Sequence, residues 1–355
     1  MMQRREFLAL GAALPGLAAG GGNALMYLGG FPRRMFVIDE AAEKVVGEIA
    51  MTKGTPRFTT LSEDKKRFYV MADNMEDCEI VDIAARRVVD TFRLSEGAKK
   101  VRMRGLAVEP QQNYAVILTK PATKHVDRWE IGANTIVQFD LKEKKVMRTI
   151  PWPKGEEREF ASFKFSPDGK NLFLFGEDIV VLDTKEFKET DKWELSRPLE
   201  DGFGRINFGQ MDDQRDEPGF FTGLFTVQDA VQNRRIMGIA RVNLQQKQVD
   251  FYALGPAQPV GFTMSPDRKF GYGLRQEVGR YEFWTFDLTK RAVHSRTEFA
   301  GRPRMSLKTS SNGQFLYIYN AGNTIDIYEA ATYKYLRTIT LDGDMTSDLF
   351  IIPRA

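Results

Sequence analysis

The stretch FKFSPDGKNLFLFG (163–176) places Ser-Pro-Asp-Gly between two short runs of large apolar residues. Proline fixes φ, aspartate can accept hydrogen bonds within its own turn, and glycine tolerates φ above zero, so the stretch predicts a β-hairpin. The same pattern returns in LSEDKKRFYVM, MSPDRKFGYGL and TSSNGQFLYIY, and more weakly in VEPQQNYAVIL (108–118). The hairpin is therefore one unit of an internal repeat.

A second repeated signal is an apolar strand that ends in an acid or amide, followed about ten residues later by another apolar strand. FVIDEAAEKVVGEI (36–49) and VVLDTKEFKETDKW (180–193) are two of seven copies, separated by steps of 43, 58, 43, 60, 44 and 42 residues. A period near 43 with four short strands is typical of a β-propeller. The sequence therefore predicts an all-β, seven-bladed propeller. The aligned positions are Asp39, Asp82, Asp140, Asp183, Asn243, Asp287 and Glu329.

The two ends of the repeat region predict how the ring closes. The first repeat begins at ALMYLGG (24–30) and lacks an innermost strand, whereas DLFIIP (348–353) is left over after the last repeat. We expect this C-terminal strand to complete blade one, because closure removes exposed sheet edges. Residues 24–355 then form one propeller domain. The two long steps hold insertions of about 15 residues, which we expect in loops.

The first 23 residues resemble a twin-arginine export signal. Arg4-Arg5 is followed by Phe7-Leu8, a short apolar stretch and small residues. Pro15 and several glycines make that stretch too short and weak for a transmembrane helix. We expect cleavage between Ala19 and Ala24 and a periplasmic protein; the alternative is a cytoplasmic tail.

Composition and missing motifs argue against several functional classes. A formal net charge of +3 without a long Lys/Arg run argues against nucleic acid as a partner. The single cysteine, Cys78, allows neither an intrachain disulfide nor a c-type haem attachment site. Two distant histidines and the absence of a Gly-x-Ser-x-Gly sequence argue against zinc and serine hydrolases. We therefore predict no cofactor, no metal site and no catalytic residue in this chain.

Arginines occur just ahead of the predicted innermost strands. Because the chain passes into each of these strands on one side of the ring, the guanidinium groups could surround one mouth of the central tunnel. There they would suit carboxylates, phosphates or an acidic protein surface. The alternative is that they are solvated loop residues paired with nearby acids. These residues are Arg57, Arg104, Arg158, Arg205 and Arg304.

The insertion TKPATKHVDRWEIGAN (119–134) carries the densest polar and aromatic group of the chain. It joins a second strand to a third, so we expect it on the same side of the ring as the arginines. A tryptophan with a charged rim is typical of a partner-binding loop; the alternative is a simple spacer. The residues concerned are His125, Asp127, Arg128 and Trp129, with Glu130 beside them. The other insertion, MDDQRDEPG (211–219), is acidic, and we expect it to be solvated rather than to bind calcium.

The repeats together resemble propellers of the YVTN type. The order of details is most similar to the β subunit of quinohemoprotein amine dehydrogenase. The similar stretches are LMYLGGFPRRMFVIDEAAEKVV (25–46), the inserted third blade (106–141) and the compact fourth blade FASFKFSPDGKNLFLFGEDIVVLD (160–183). This resemblance implies a propeller without a cofactor of its own, which assembles with a quinone-bearing small subunit and a subunit carrying c-type haem.

Three functional hypotheses follow from these observations. The first is a periplasmic, non-catalytic scaffold of an amine-oxidising complex. The second is a stand-alone propeller that binds a small anionic ligand in its tunnel. The third is a propeller lactonase or lyase, which would need a metal or a buried acid–base pair near the axis.

Overall fold

The computed structural model describes residues 21–176, 178–195, 203–211, 214, 215, 217–319 and 322–354. Most of the predicted export signal (1–20) and the acids Asp212, Asp213 and Asp216 of the second insertion lie outside these residues. Within 203–211 only the backbone is described, apart from Phe208. In the described part of the chain, no helix has the length and apolar character needed to cross a membrane.

The chain forms seven antiparallel sheets in sequence order, which are the seven predicted blades. The described residues hold one short 3-10 helix, Pro153–Gly155, between blades three and four. Blades one to three contain β1 (Ala24–Gly30), β2 (Arg34–Asp39), β3 (Lys44–Ala50), β4 (Pro56–Leu61), β5 (Arg67–Ala72), β6 (Asp77–Asp82), β7 (Arg87–Arg93), β8 (Lys99–Val108), β9 (Tyr114–Lys124), β10 (Trp129–Ile131), β11 (Thr135–Asp140) and β12 (Lys145–Ile150).

Blade three has five strands, blades four to seven have four each, and one further strand remains at the C-terminus. Their strands are β13 (Ser162–Phe165), β14 (Asn171–Phe175), β15 (Ile179–Asp183), β16 (Glu189–Trp193), β17 (Phe203–Met211), β18 (Phe220–Asp229), β19 (Arg234–Asn243), β20 (Gln248–Pro256), β21 (Thr263–Met264), β22 (Phe270–Glu277), β23 (Arg280–Asp287), β24 (Ala292–Phe299), β25 (Ser306–Thr309), β26 (Phe315–Tyr319), β27 (Thr324–Glu329), β28 (Tyr335–Thr340) and β29 (Met345–Pro353).

The C-terminal strand closes the ring as the sequence predicts. β29 pairs antiparallel with β1, with Met26 opposite Ile351 and Leu28 opposite Leu349, which completes the four-stranded first blade. Side-chain packing also joins the last blade to the first, because one apolar cluster contains Leu28 and Leu349 of blade one and Tyr317 of blade seven. Each of the other six blade interfaces holds its own cluster of buried apolar side chains. The protein is a seven-bladed β-propeller.

The repeated sequence signals are residues that form the turns of the blades. In the hairpin between β13 and β14, the Ser166 hydroxyl contacts Asp168 Oδ1 at 2.6 Å and accepts the Asn171 amide, while Gly169 has φ of +70°. The acids that end the third strands accept backbone amides of the following turn, as Asp287 does from Lys290 at 2.9 Å. That hydrogen bond is the largest contribution lowering the pKa of Asp287 to about 2. The repeated residues therefore build the blades.

The expectation that both insertions are loops is wrong for blade three. Residues of the 119–134 insertion lengthen β9 and form β10, which pairs with β9 through Trp129–Lys124 and Ile131–Ala122. β8 is lengthened to match, since Lys99 lies opposite Thr123. The result is a three-stranded projection, because paired strands satisfy backbone groups that a loop of this length would leave to water.

Cys78 lies fully buried in β6, as expected for a lone cysteine in a packed strand. Burial, together with the neighbouring Glu79 and Asp77 carboxylates, raises the pKa of its thiol. The thiolate is the reactive form. We therefore expect no reaction with Ellman's reagent at pH 8 in the folded protein and one equivalent after unfolding in urea. Rapid labelling without denaturant would contradict this placement of Cys78.

Candidate functional site

Two faces of the ring follow from the strand order. The loop face carries the links between second and third strands, such as 125–134 and 230–233, and the segments between blades, such as 94–98 and 151–161. The turn face carries the hairpins between first and second strands, such as 62–66. Any side chain near the start of an innermost strand consequently lies towards the loop face.

A central cavity of about 490 Å³ runs between the innermost strands. Its wall contains backbone and side chains of β4, β8, β13, β25 and β29, the first strands of five blades. Basic and acidic groups are mixed along it. The charged lining residues are Glu63, Lys65, Arg104, Lys164, Glu217, Lys308 and Asp348.

Gln214 and Glu217 of the second insertion line this cavity near the turn face. The Gln214 amide donates to the Leu349 carbonyl at 2.6 Å, and its oxygen accepts the Ile351 amide at 3.0 Å. Arg215 donates to the carbonyls of Thr309 and Ser310, both at 3.1 Å. Blade five is thereby tied across the axis to blades seven and one.

Glu217 does not behave as a solvated acid. It pairs with Arg241 at 2.7 Å and with Arg268, and its side chain is 31% exposed. The expectation of a solvated acidic loop is therefore wrong for Glu217. No local sequence pattern predicts the Gln214 contacts, because Gln214 binds backbone groups 135 and 137 residues away.

We expect Gln214→Ala to lower the free energy of unfolding by about 1–2 kcal/mol, because it removes two hydrogen bonds to the backbone of the closing strand. Exchange of the Ile351 amide with solvent should accelerate. Urea denaturation measures the first effect and hydrogen exchange the second. The exposed Gln232→Ala is the matched control, and equal effects for the two variants would contradict the assignment.

Arg104 is the predicted arginine that lines the cavity. It lies at a β-bulge in β8, forms a 3.3 Å ion pair with Glu159, and stacks over Phe160 with its guanidinium carbon 4.7 Å from the ring centroid. Arg57, also at a bulge, is exposed and lies over Phe58 at 5.9 Å. Both residues pair a cation with an exposed aromatic ring on the loop face.

The other predicted arginines are placed differently. Arg158 is half-buried against Gly176, and its Nη1 has no hydrogen-bond partner among the described residues. Arg304 is exposed in the link before β25 with φ of +59°. Arg205 lies in β17, where side chains are not described. Apart from Arg104, none of the described predicted arginines belongs to the cavity wall, so a ring of guanidinium groups around one mouth does not form among them.

The 125–130 group forms the tip of the blade-three projection. The His125 amide donates to the Arg128 carbonyl at 2.8 Å, and the His125 ring lies 2.9 Å from Glu130. Arg128 pairs with Asp127 at 3.3 Å, and Trp129 is 50% exposed. The structure brings these residues together on the loop face, and their binding role stays a prediction.

The fold matches those of known propeller structures. A functionally unknown protein from Desulfotomaculum acetoxidans has a TM-score of 0.56 at 13% identity, covering 93% of this chain and 99% of that one. The periplasmic gluconolactonase PpgL of Pseudomonas aeruginosa gives 0.54 at 13%, with 93% and 99% covered. Dihydro-heme d1 dehydrogenase NirN gives 0.54 at 12%, with 95% and 77% covered. Neither a known protein family nor a curated protein matches the sequence.

Proposed function

We propose that this propeller is a non-catalytic binding subunit whose loop face docks a partner protein. The observation that carries the proposal is the distribution of exposed large apolar side chains. Among the described residues, one group lies on the outermost strands of the blades, and every other member lies at the loop face. The loop-face group is Phe31, Phe58, Val126, Trp129, Ile131, Phe160, Val231 and Val278.

Neighbouring exposed apolar side chains can mark an interaction surface. Four of the eight, Val126, Trp129, Ile131 and Phe160, belong to blade three or to the link that follows it. Arg104 over Phe160 and Arg57 over Phe58, together with Trp129, add arginine and tryptophan, two of the residue types that are enriched at binding hot spots. Within the described chain, none of these exposed apolar side chains lies in a turn of the turn face; the outer-strand group lies at the rim, in the first half of β3, β7, β12 and β28. The loop face is therefore the side where we place the partner.

A narrower form of the proposal names the partners. The resemblance to the amine dehydrogenase β subunit supports a quinone-bearing subunit and a c-type haem subunit, assembled in the periplasm after export through the Arg4-Arg5 signal. An absorbance spectrum of the complex from native cells tests this form. A haem band from a co-purifying subunit supports it, and a colourless complex contradicts it.

We expect Trp129→Ala and Arg104→Ala each to weaken partner binding at least tenfold while leaving thermal unfolding within a few degrees of the wild type. Tagged protein isolated from native cells, sized by light scattering, measures the association. Val146→Ala, on the outer strand β12, is the control for loss of an exposed apolar side chain. Complexes of unchanged mass in both loop-face variants would overturn the proposal.

A second candidate is a small anionic ligand in the central cavity, favoured by its 490 Å³ volume and by Arg104 in its wall. The third hypothesis, a lactonase or lyase, would use the same cavity. The described residues contain no group of three or more His, Cys, Asp or Glu suited to a metal ion.

Calorimetric titration with small carboxylates and phosphate tests whether the cavity binds an anionic ligand. Binding lost in Arg104→Ala but kept in Trp129→Ala would favour the cavity over a protein partner.

A further inference from the structure

The blade-three projection has a charge unlike the rest of the molecule. We call residues 99–104 and 119–131 the arm. It contains seven Lys and Arg residues and two acids, a net charge of +5, whereas the whole chain has +3. The remainder of the protein is therefore slightly acidic, and net positive charge is concentrated in the arm.

The strand register sorts the arm's side chains between its two faces. Residues directly opposite each other on paired strands point to one face, as do residues two apart along a strand. Arg102 lies opposite Lys120, Lys124 opposite Trp129, and Ile131 opposite Ala122. These side chains therefore share one face of the arm. Lys100 also belongs to this face, because it lies opposite Ala122. We call this the basic face, and it consists of Lys100, Arg102, Lys120, Lys124, Trp129 and Ile131.

The opposite face of the arm is the one that packs on the propeller. Met103 is fully buried in the apolar cluster between blades two and three, and Val101 is 6% exposed. Glu130 belongs to this side by register and bonds to His125. The basic face is consequently the side of the arm opposite to these packed side chains, and no acid of the arm's strands shares it.

The cations of the basic face are only partly neutralised. Lys100 lies 3.9 Å from Glu76 and Lys120 lies 3.9 Å from Glu157, both at the limit of an ion pair. Arg102 and Lys124 are exposed and form no ion pair within the described chain. Beside them, Trp129 is 50% and Ile131 is 61% exposed. Apolar side chains bordered by unpaired cations suit a partner in which acids flank an apolar side chain.

We propose, resting on the proposed function, that the basic face of the arm binds an acidic polypeptide segment of the partner protein. The patch measures roughly 10 Å across its strands and 13 Å along them, which fits about four extended residues. Carboxylates would pair with Arg102 and Lys124, and an apolar side chain would pack on Trp129 and Ile131.

A membrane surface fits the arm less well. Val126 at the tip is fully exposed, but its neighbours Asp127 and Arg128 are 71% and 66% exposed at the side-chain level. Inserting Val126 into lipid would carry both charges towards the hydrocarbon, which is costly. A protein surface can pair these charges at its rim instead.

The test uses the full-length protein and a synthetic peptide that alternates Glu or Asp with Leu. Trp129 reports binding directly, because Trp193 and Trp284 are buried and Trp152 is half-buried. We expect a saturable blue shift of emission, and binding at least about tenfold weaker when every acid of the peptide is replaced by Gln. Anisotropy of a labelled peptide gives the affinities of the variants.

The double variant Arg102→Glu, Lys124→Glu should also lose at least about tenfold in affinity. Lys142→Glu, Lys145→Glu, at the outer edge of the same blade, changes net charge equally and should have no effect. Equal losses in both double variants would overturn the inference, because bulk charge would then explain binding. Arm-dependent binding of phosphatidylglycerol vesicles or an oligonucleotide without peptide binding would overturn it as well.

Formation of the native complex by the variants distinguishes failure of this inference from failure of the proposed function. A complex that survives the arm double variant but is lost in Phe160→Ala would sink the acidic-segment inference and leave loop-face docking intact. A complex that survives both variants and Trp129→Ala would contradict the proposed function itself.

Discussion

Replacing Glu40 by alanine should lower the free energy of unfolding by about 3–5 kcal/mol. The Glu40 carboxylate is fully buried where blade one meets blade seven. It accepts the amides of Ala24 at 3.0 Å and Ser311 at 2.8 Å, the Ser311 hydroxyl, and the Tyr317 hydroxyl at 3.1 Å. Alanine would leave these donors without their acceptor in a site closed to water. Burial, with a further contribution from Glu40, raises the pKa of Tyr317.

Urea denaturation followed by circular dichroism measures this loss. Glu48→Ala is the matched control, since Glu48 is exposed in the same blade and pairs with Arg34 at the surface. Surface pairs of this kind contribute at most about 1 kcal/mol. A Glu40→Ala variant as stable as the Glu48→Ala variant would contradict a role for Glu40 in ring closure.

Ending the chain at Asp344 should abolish cooperative folding. The truncation removes β29 and with it Leu349, Phe350 and Ile351, which are 0%, 6% and 5% exposed. Burial of each such side chain contributes about 1.5–3 kcal/mol, so their joint loss approaches the whole stability of a typical domain. β1 would also become an open edge.

Near-ultraviolet circular dichroism and binding of a hydrophobic dye measure the outcome of this truncation. Removing only residues 354 and 355 is the control, because Arg354 contributes one surface pair with Asp39. A truncated protein with native spectra and a cooperative thermal transition would show that blade one does not need its C-terminal strand.

The fold could be predicted from sequence because its signals are local. Ser166 and Asp168 hydrogen-bond within their own hairpin, and Asp287 bonds the turn that follows it. Such residues must recur wherever the turn recurs, so counting them counts blades. Closure followed from the same count, since one strand was missing at the start and one remained at the end.

The site depended on contacts that no local pattern encodes. Bulges at Arg57 and Arg104 set side-chain direction within their strands, and Arg158 turns against Gly176 instead of the cavity. The strands of the arm could not be predicted from the sequence, because Pro121 and several charged residues interrupt the alternation of apolar and polar residues. Their pairing, as of Lys99 with Thr123, appears only in the structure. Non-local register and bulges therefore limit what the sequence predicts here.

Hydrogen exchange of the chain in its native complex, compared with the isolated chain, tests loop-face docking most directly. Partner binding should slow the exchange of backbone amides in the arm and in the link before β13, around Phe160, and leave the hairpins of the turn face unchanged. Protection confined to the turn face, or no difference between the two states, would contradict a partner on the loop face.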